Sequence, residues 1–197
     1  MNGNAATLRL AVLPRTGLFT DGLLILGGVG LVALAAQIVI PLPFTPVPIT
    51  AQTFAVLLVG ASLGWMLGAA SLLLYWLVGL AGAPVYAEQH GGWETFMGPT
   101  GGYLIGFVLA AAVTGYLAQR RWDRRFSSSV TAMLTGSVII YACGLPWLAA
   151  EIDAGLEGTL EAGLYPFVVG DVIKLYLAGA LLPAAWAAVR RFRGSDE

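Results

Sequence analysis

The 197-residue chain has little charge: Asp, Glu, Lys and Arg make up 11% of it, against a hydrophobic share of 58%. A soluble domain usually carries about 25% charged residues, so a water-soluble globular fold is excluded. The mean hydropathy of +0.80 agrees. Histidine, lysine and cysteine occur once each, as His90, Lys174 and Cys143. A single cysteine forbids an internal disulfide and reads as a small apolar packing residue. One His with one Cys is too few ligands for a metal cluster. No G-x-x-x-x-G-K-[ST] phosphate loop occurs, so the chain has no such device for using ATP. There is no H-E-x-x-H zinc site, and no nucleophile elbow is expected. An intramembrane enzyme therefore ranks last among the readings. No cofactor and no nucleic-acid partner is expected. The chain shows no repeat of fixed period and no low-complexity tract.

What is present is a series of apolar runs. A membrane-spanning helix needs about 20 apolar residues. The chain has room for about six, and for no separate soluble domain. The expected spans are 22–40, 51–63, 66–80, 103–118, 130–149 and 165–189. Residues 1–20 form an N-terminal segment and 190–197 a basic-then-acidic tail around a transmembrane domain at 21–189. The fold class expected is an all-α integral membrane protein of six helices. Ala33–Ala35 mimics a signal-peptide cleavage site, but the apolar stretch continues through Ile40 and is as long as or longer than a typical h-region. An uncleaved first helix is expected.

Between spans one and two lies "PLPFTPVPIT" (Pro41 to Thr50). Its prolines lack N–H donors and restrict their predecessors, so no regular helix forms there. Between spans three and four lies a glycine-rich loop, Ala81 to Gly102. An acidic loop with Glu151, Asp153, Glu157 and Glu161 precedes span six. None of these three loops contains Lys or Arg. Arginines gather instead at Arg120–Arg125 and at Arg190–Arg193. Cytoplasmic loops are enriched in Lys and Arg, which puts the arginine loop, the tail and the N-terminus with Arg9 and Arg15 inside. The proline, glycine and acidic loops then face outside. Irregular backbone at membrane depth is tolerated only where it is buried in protein or lines a cavity. The proline and glycine loops either dip inward or are ordinary external connections.

The last span carries Asp171 and, three residues on, Lys174. An ionisable residue at the bilayer centre costs roughly 2.5–3.5 kcal/mol. Three residues apart, the two share a helix face and can pair. One reading is an ion pair that glues this helix to its neighbours. The other is a binding site with one strong acceptor and one strong donor, suited to a neutral group carrying both N–H and C=O, such as an amide or a urea.

"PFTPVPITAQTF" (Pro43 to Phe54), "GLAGAPVY" (Gly79 to Tyr86), "GPTGGYLIGF" (Gly98 to Phe107) and "GDVIK" (Gly170 to Lys174) follow one another in order. Together they resemble the BioY family, the biotin-specific substrate-binding S components of energy-coupling factor (ECF) transporters. The resemblance covers about 22–189. It implies the six-helix S-component fold and capture of biotin from outside. It also implies work with an energy-coupling module, made of a transmembrane coupling protein and a pair of ABC-type ATPases, in a bacterial cytoplasmic membrane.

The family's G-D-x-x-K motif falls on Asp171 and Lys174 and implies the site for biotin's ureido ring. Asp171 would accept from a ureido N–H and Lys174 would donate to the carbonyl. The resemblance also implies a proline loop that closes over the site, here with Phe44, Thr50 and Gln52. Phe44 can equally anchor that loop at the interface, and Gln52 can cap the second helix. Where the family often carries an asparagine, this chain has His90, which can donate one hydrogen bond and accept another or can be a solvated loop residue. Tyr103 can touch the ligand or sit in an aromatic belt, as can Trp93. Ala33, Ala35 and Ala36, with Gly27, Gly28 and Gly30, form no clean A-x-x-x-A patch for a coupling protein, and packing within the bundle is the favoured reading for them. The alternative function is a self-contained proton-coupled biotin transporter, with Asp171 protonating and His90 assisting. No inverted repeat or interrupted helix pair supports it.

Overall fold

The computed structural model describes residues 7–13 and 17–194, and helices dominate it. In chain order they are α1 (Leu8–Val12), α2 (Leu18–Ala36), α3 (Gln52–Leu63), α4 (Trp65–Leu80), α5 (Trp93–Met97), α6 (Gly101–Gln119), α7 (Phe126–Glu151), α8 (Leu156–Gly163) and α9 (Val168–Gly194). The six expected apolar spans correspond to α2, α3, α4, α6, α7 and α9, but α2 ends at Ala36, short of the expected Ile40. α7 and α9 run on through Pro146 and Pro183 without a break.

The loops hold more structure than their composition suggests. The proline loop is closed by a short antiparallel ribbon, β1 (Val39–Ile40) and β2 (Ile49–Thr50), with Val39 opposite Thr50. The fold is therefore not purely helical. Prolines exclude a helix here, while the β-branched residues at both ends favour extended pairing. The glycine loop contains a 3-10 turn at Ala87–Gln89 and then α5, and the acidic loop contains α8. Pro166 lies in a 3-10 turn at Tyr165–Phe167, so α9 starts at Val168 and not at Tyr165.

Among the described residues, four stretches are long and apolar enough to cross a membrane: Leu18–Ala36, Gly101–Gln119, Phe126–Glu151 and Leu156–Phe192, the last taking in α8 and α9. The chain is a multi-pass membrane protein. α3 and α4 are shorter, with 12 and 16 residues. Gly64, at φ +87°, ends α3 and begins α4, a backbone conformation that glycine adopts without strain. The residues Gly60-Ala61-Ser62-Leu63-Gly64 do have G-x-S-x-G spacing. They close one helix and turn into the next, with no strand beside them, so no nucleophile elbow forms.

α6 is the centre of the bundle and packs against α3, α4 and α7. Small residues let the backbones approach. A Cβ on Gly60 would lie 2.4 Å from Thr114 Oγ1 and 2.5 Å from the Ala111 carbonyl oxygen. α2 lies on the flank, with Leu23, Leu26 and Leu34 exposed. Its Gly28, Ala35 and Ala36 are buried and Ala33 half-buried, which is packing within the bundle. Cys143 is half-buried on α7.

At the opposite end from the proline loop, α1 packs on α3 and α9, with Thr7 and Ala11 buried. Arg9 is ion-paired with Asp21, while Arg15 lies outside the described residues. The buried Asp123 accepts a hydrogen bond from the Trp186 indole, whose face is covered by Arg124. Burial pushes the Asp123 carboxyl above its usual range.

Gly60→Val is expected to lower the melting temperature in detergent, through an overpacking cost of about 1–3 kcal/mol. Gly27→Ala, whose Cβ would enter open space, is expected to leave it unchanged. Thermal unfolding followed by gel filtration checks both.

Candidate functional site

The first turn of α9 places Asp171 where the positive end of the helix dipole favours a carboxylate. One turn on, Lys174 Nζ donates to Asp171 Oδ1 at 2.9 Å. Lys174 also donates to Thr53 Oγ1 of α3 at 3.1 Å. From α7, the Tyr141 hydroxyl donates to Asp171 Oδ2. Asp171 is only 8% exposed. Three helices thus meet at one ion pair, and each charge has an opposite charge and a hydroxyl beside it.

These groups line a cavity of about 300 Å³, the low end of the usual range for ligand pockets. Of the residues expected from sequence, Asp171, Lys174, His90, Gln52, Thr50 and Tyr103 all border it. Phe44 does not. It is 67% exposed on the proline loop, and that loop borders the cavity through Pro46, Val47, Pro48 and Thr50 instead. Trp93 is likewise exposed and outside the lining.

Polar contacts fix the walls. Gln52 Nε2 donates to the Tyr75 hydroxyl at 2.8 Å, and Tyr75 donates to the Val85 carbonyl at 2.9 Å. The Thr50 hydroxyl donates to Gln52 Oε1 and accepts from the Gln52 N–H. The start of α3 is thereby tied to α4 and the glycine loop. The Tyr103 hydroxyl donates to the Gly163 carbonyl at 3.0 Å, and Thr45 donates to the Ala162 carbonyl at 2.6 Å. The end of α8 is therefore pinned to both α6 and the proline loop. Tyr103 and Tyr141 meet edge to face, with ring centroids 6.2 Å apart.

The rim is strained. Glu88 and Gln89 both have left-handed backbone, at φ 58° and 59°. Such residues cost about 1–3 kcal/mol each unless their surroundings hold them. Backbone bonds from the Tyr86 N–H to the His90 carbonyl at 3.0 Å and from the His90 N–H to the Ala87 carbonyl at 3.1 Å close this turn. The Gln37 side chain, at the end of α2, adds to them: it accepts from the Gln89 N–H at 3.2 Å and donates to the Tyr86 carbonyl at 3.1 Å. Glu88, His90 and Glu94 are exposed and border the cavity mouth. Below them, burial pushes the Tyr86 hydroxyl up to about 12, and that hydroxyl donates to the Trp76 carbonyl at 2.7 Å.

Sequence reasoning missed Thr53 and Tyr141. Tyr141 is the only tyrosine in the fifth apolar run, and a hydroxyl in such a run needs a partner. That was the available signal.

A model of the "BioY family" matches residues 8–191. The chain belongs to the BioY family. The biotin transporter BioY of Rhizobium etli is 38% identical over 158 residues, covering 77% of this chain and 84% of that protein. The biotin transporter BioY of Thermotoga maritima is 38% identical over 142 residues, covering 72% and 82%. The crystal structure of the S component for biotin from an ECF-type ABC transporter superposes with a TM-score of 0.74 at 25% identity. The match covers 91% of this chain and 95% of that one. BioY membership and the S-component fold make this chain a transporter subunit and not an enzyme.

A tyrosine whose folded pKa lies above its unfolded value contributes stability below the unfolded pKa, and loses it as pH rises through the folded one. From the ordinary value of 10 to about 12, the wild type is expected to lose more stability than Tyr86→Phe. Detergent melting curves across that window check the difference in slope.

Proposed function

We propose that this chain is the high-affinity biotin-binding membrane subunit of an ATP-driven vitamin importer. Its BioY membership and S-component fold support biotin uptake. The observation that carries the reading is the hydrogen-bonding capacity left at the ion pair. An ammonium has three donors. Two of those on Lys174 are engaged by Asp171 and Thr53, so one is free for a carbonyl. A carboxylate has about four lone-pair sites. Lys174 and Tyr141 use two on Asp171, so acceptor capacity remains. One free donor beside free acceptors matches the C=O and N–H edge of biotin's cyclic urea. Charge-assisted bonds of this kind are roughly twice as strong as neutral ones.

In this reading six helices cross the membrane, with both termini in the cytoplasm, and the membrane is a bacterial cytoplasmic one. α3 rises only about 18 Å at 1.5 Å per residue, well short of the roughly 30 Å hydrocarbon core. The proline loop and ribbon make up the difference, and the cavity they border opens outward. Biotin enters between that loop and the glycine rim. Gln52, Thr50, Tyr103 and His90 contact it around the Asp171–Lys174 pair. Transport requires a transmembrane coupling protein and ABC-type ATPases, because the chain has no phosphate loop of its own.

Equilibrium titration of the purified chain is the test. Biotin is expected to bind, and an analogue lacking the ureido carbonyl to lose at least about 100-fold in affinity, since polar sites left unpaired reject such analogues strongly. Equal binding of the two overturns the reading. Lys174→Met is expected to abolish capture while the protein stays monodisperse. Thr53→Val, which frees Lys174 from one partner, is expected to weaken binding by about tenfold, the scale of a lost hydrogen bond to a charged group. Unchanged binding in Lys174→Met makes the pair structural glue.

A further inference from the structure

The cavity's charge is unevenly spread. Apart from its tyrosines, its ionisable lining residues are Glu88, His90, Glu94, Asp171 and Lys174. Lys174 is the only lysine in the chain, no arginine among the described residues borders the cavity, and the lysine is held against Asp171. That pair is neutral as a unit. His90 apart, two carboxylates remain, Glu88 and Glu94, with no ion-pair partner among the described residues and both on the exposed glycine loop at the mouth. The buried end of the chamber is therefore polar and neutral, and the open end is anionic.

We propose that Glu88 and Glu94 set the specificity of this site for the charge of the ligand's tail, favouring tails capped as an amide or carrying a cation over a free carboxylate. This rests on the reading that the ureido ring occupies Asp171 and Lys174. With its head there, biotin's side chain runs toward the mouth and its carboxylate meets like charge. Biotin joined through its carboxyl to an amine has lost that charge. Biotin joined to a diamine replaces it with the opposite one. Water screens charges at an exposed mouth, so the preference is modest and salt-dependent.

The test is competitive titration of the purified wild-type chain with biotin, biotin amide and the mono-amide of biotin with ethylenediamine, in low salt and in high salt. Affinity is expected to rise by about 1.4- to 5-fold for each unit of positive tail charge added, the scale of exposed charge pairs. The ratios are expected to shrink toward one in high salt and in E88Q/E94Q. Because ratios are compared, an overall change in head affinity cancels. The wild-type salt series tests the proposal even if the double variant folds poorly. Biotin binding as tightly as its amide or tighter in low salt, or ratios unmoved by salt, overturns it. Binding of none of the three overturns the ureido reading instead.

Discussion

The site depends on a carboxylate and an ammonium that cannot leave each other. Burying either alone in an apolar bundle would cost several kcal/mol. Together they still need hydroxyls from two other helices, and Tyr141 and Thr53 supply them. α3, α7 and α9 are thus required to meet at one point, and the 300 Å³ chamber is what remains beside it. The pair is costly as structure alone. Its unfilled hydrogen-bonding capacity is what the proposed capture of biotin would use.

Around this point the bundle is built mostly from small residues and exposed apolar ones. Gly60, Ala111, Thr114 and Gly115 let α3 and α6 approach closely, while the leucines of α2 face outward. The polar ties lie at the two ends: the hydroxyl and amide links around the cavity, and the Arg9–Asp21 and Trp186–Asp123 contacts at the other. Such an arrangement suits a solvent that can satisfy polar groups only at its faces.

Much of this was legible in the sequence, because the bilayer imposes a simple code. The apolar runs mark the helices to within a few residues, and the Asp171–Lys174 spacing alone places the two charges on one face. The glycine and proline loops declare themselves by composition. What they fold into does not. The β1–β2 ribbon depends on Val39 meeting Thr50 across the loop, a pairing with no local signature. The resemblance implies Phe44 at the site because a proline loop closes over it, but here Phe44 is exposed and the loop borders the cavity through residues such as Val47 and Thr50. Thr53 and Tyr141 become site residues only through partners more than 29 positions away, and such contacts are set by packing and not by pattern.

The Gln37 amide has a mechanical consequence. It sits at the end of α2, the helix least embedded among those long enough to span, and it helps hold two residues of the mouth in a backbone conformation they would not choose. Backbone bonds from the Tyr86 N–H to the His90 carbonyl and from the His90 N–H to the Ala87 carbonyl close the same turn. Gln37 adds the tie that joins the end of α2 to the doorway of the chamber.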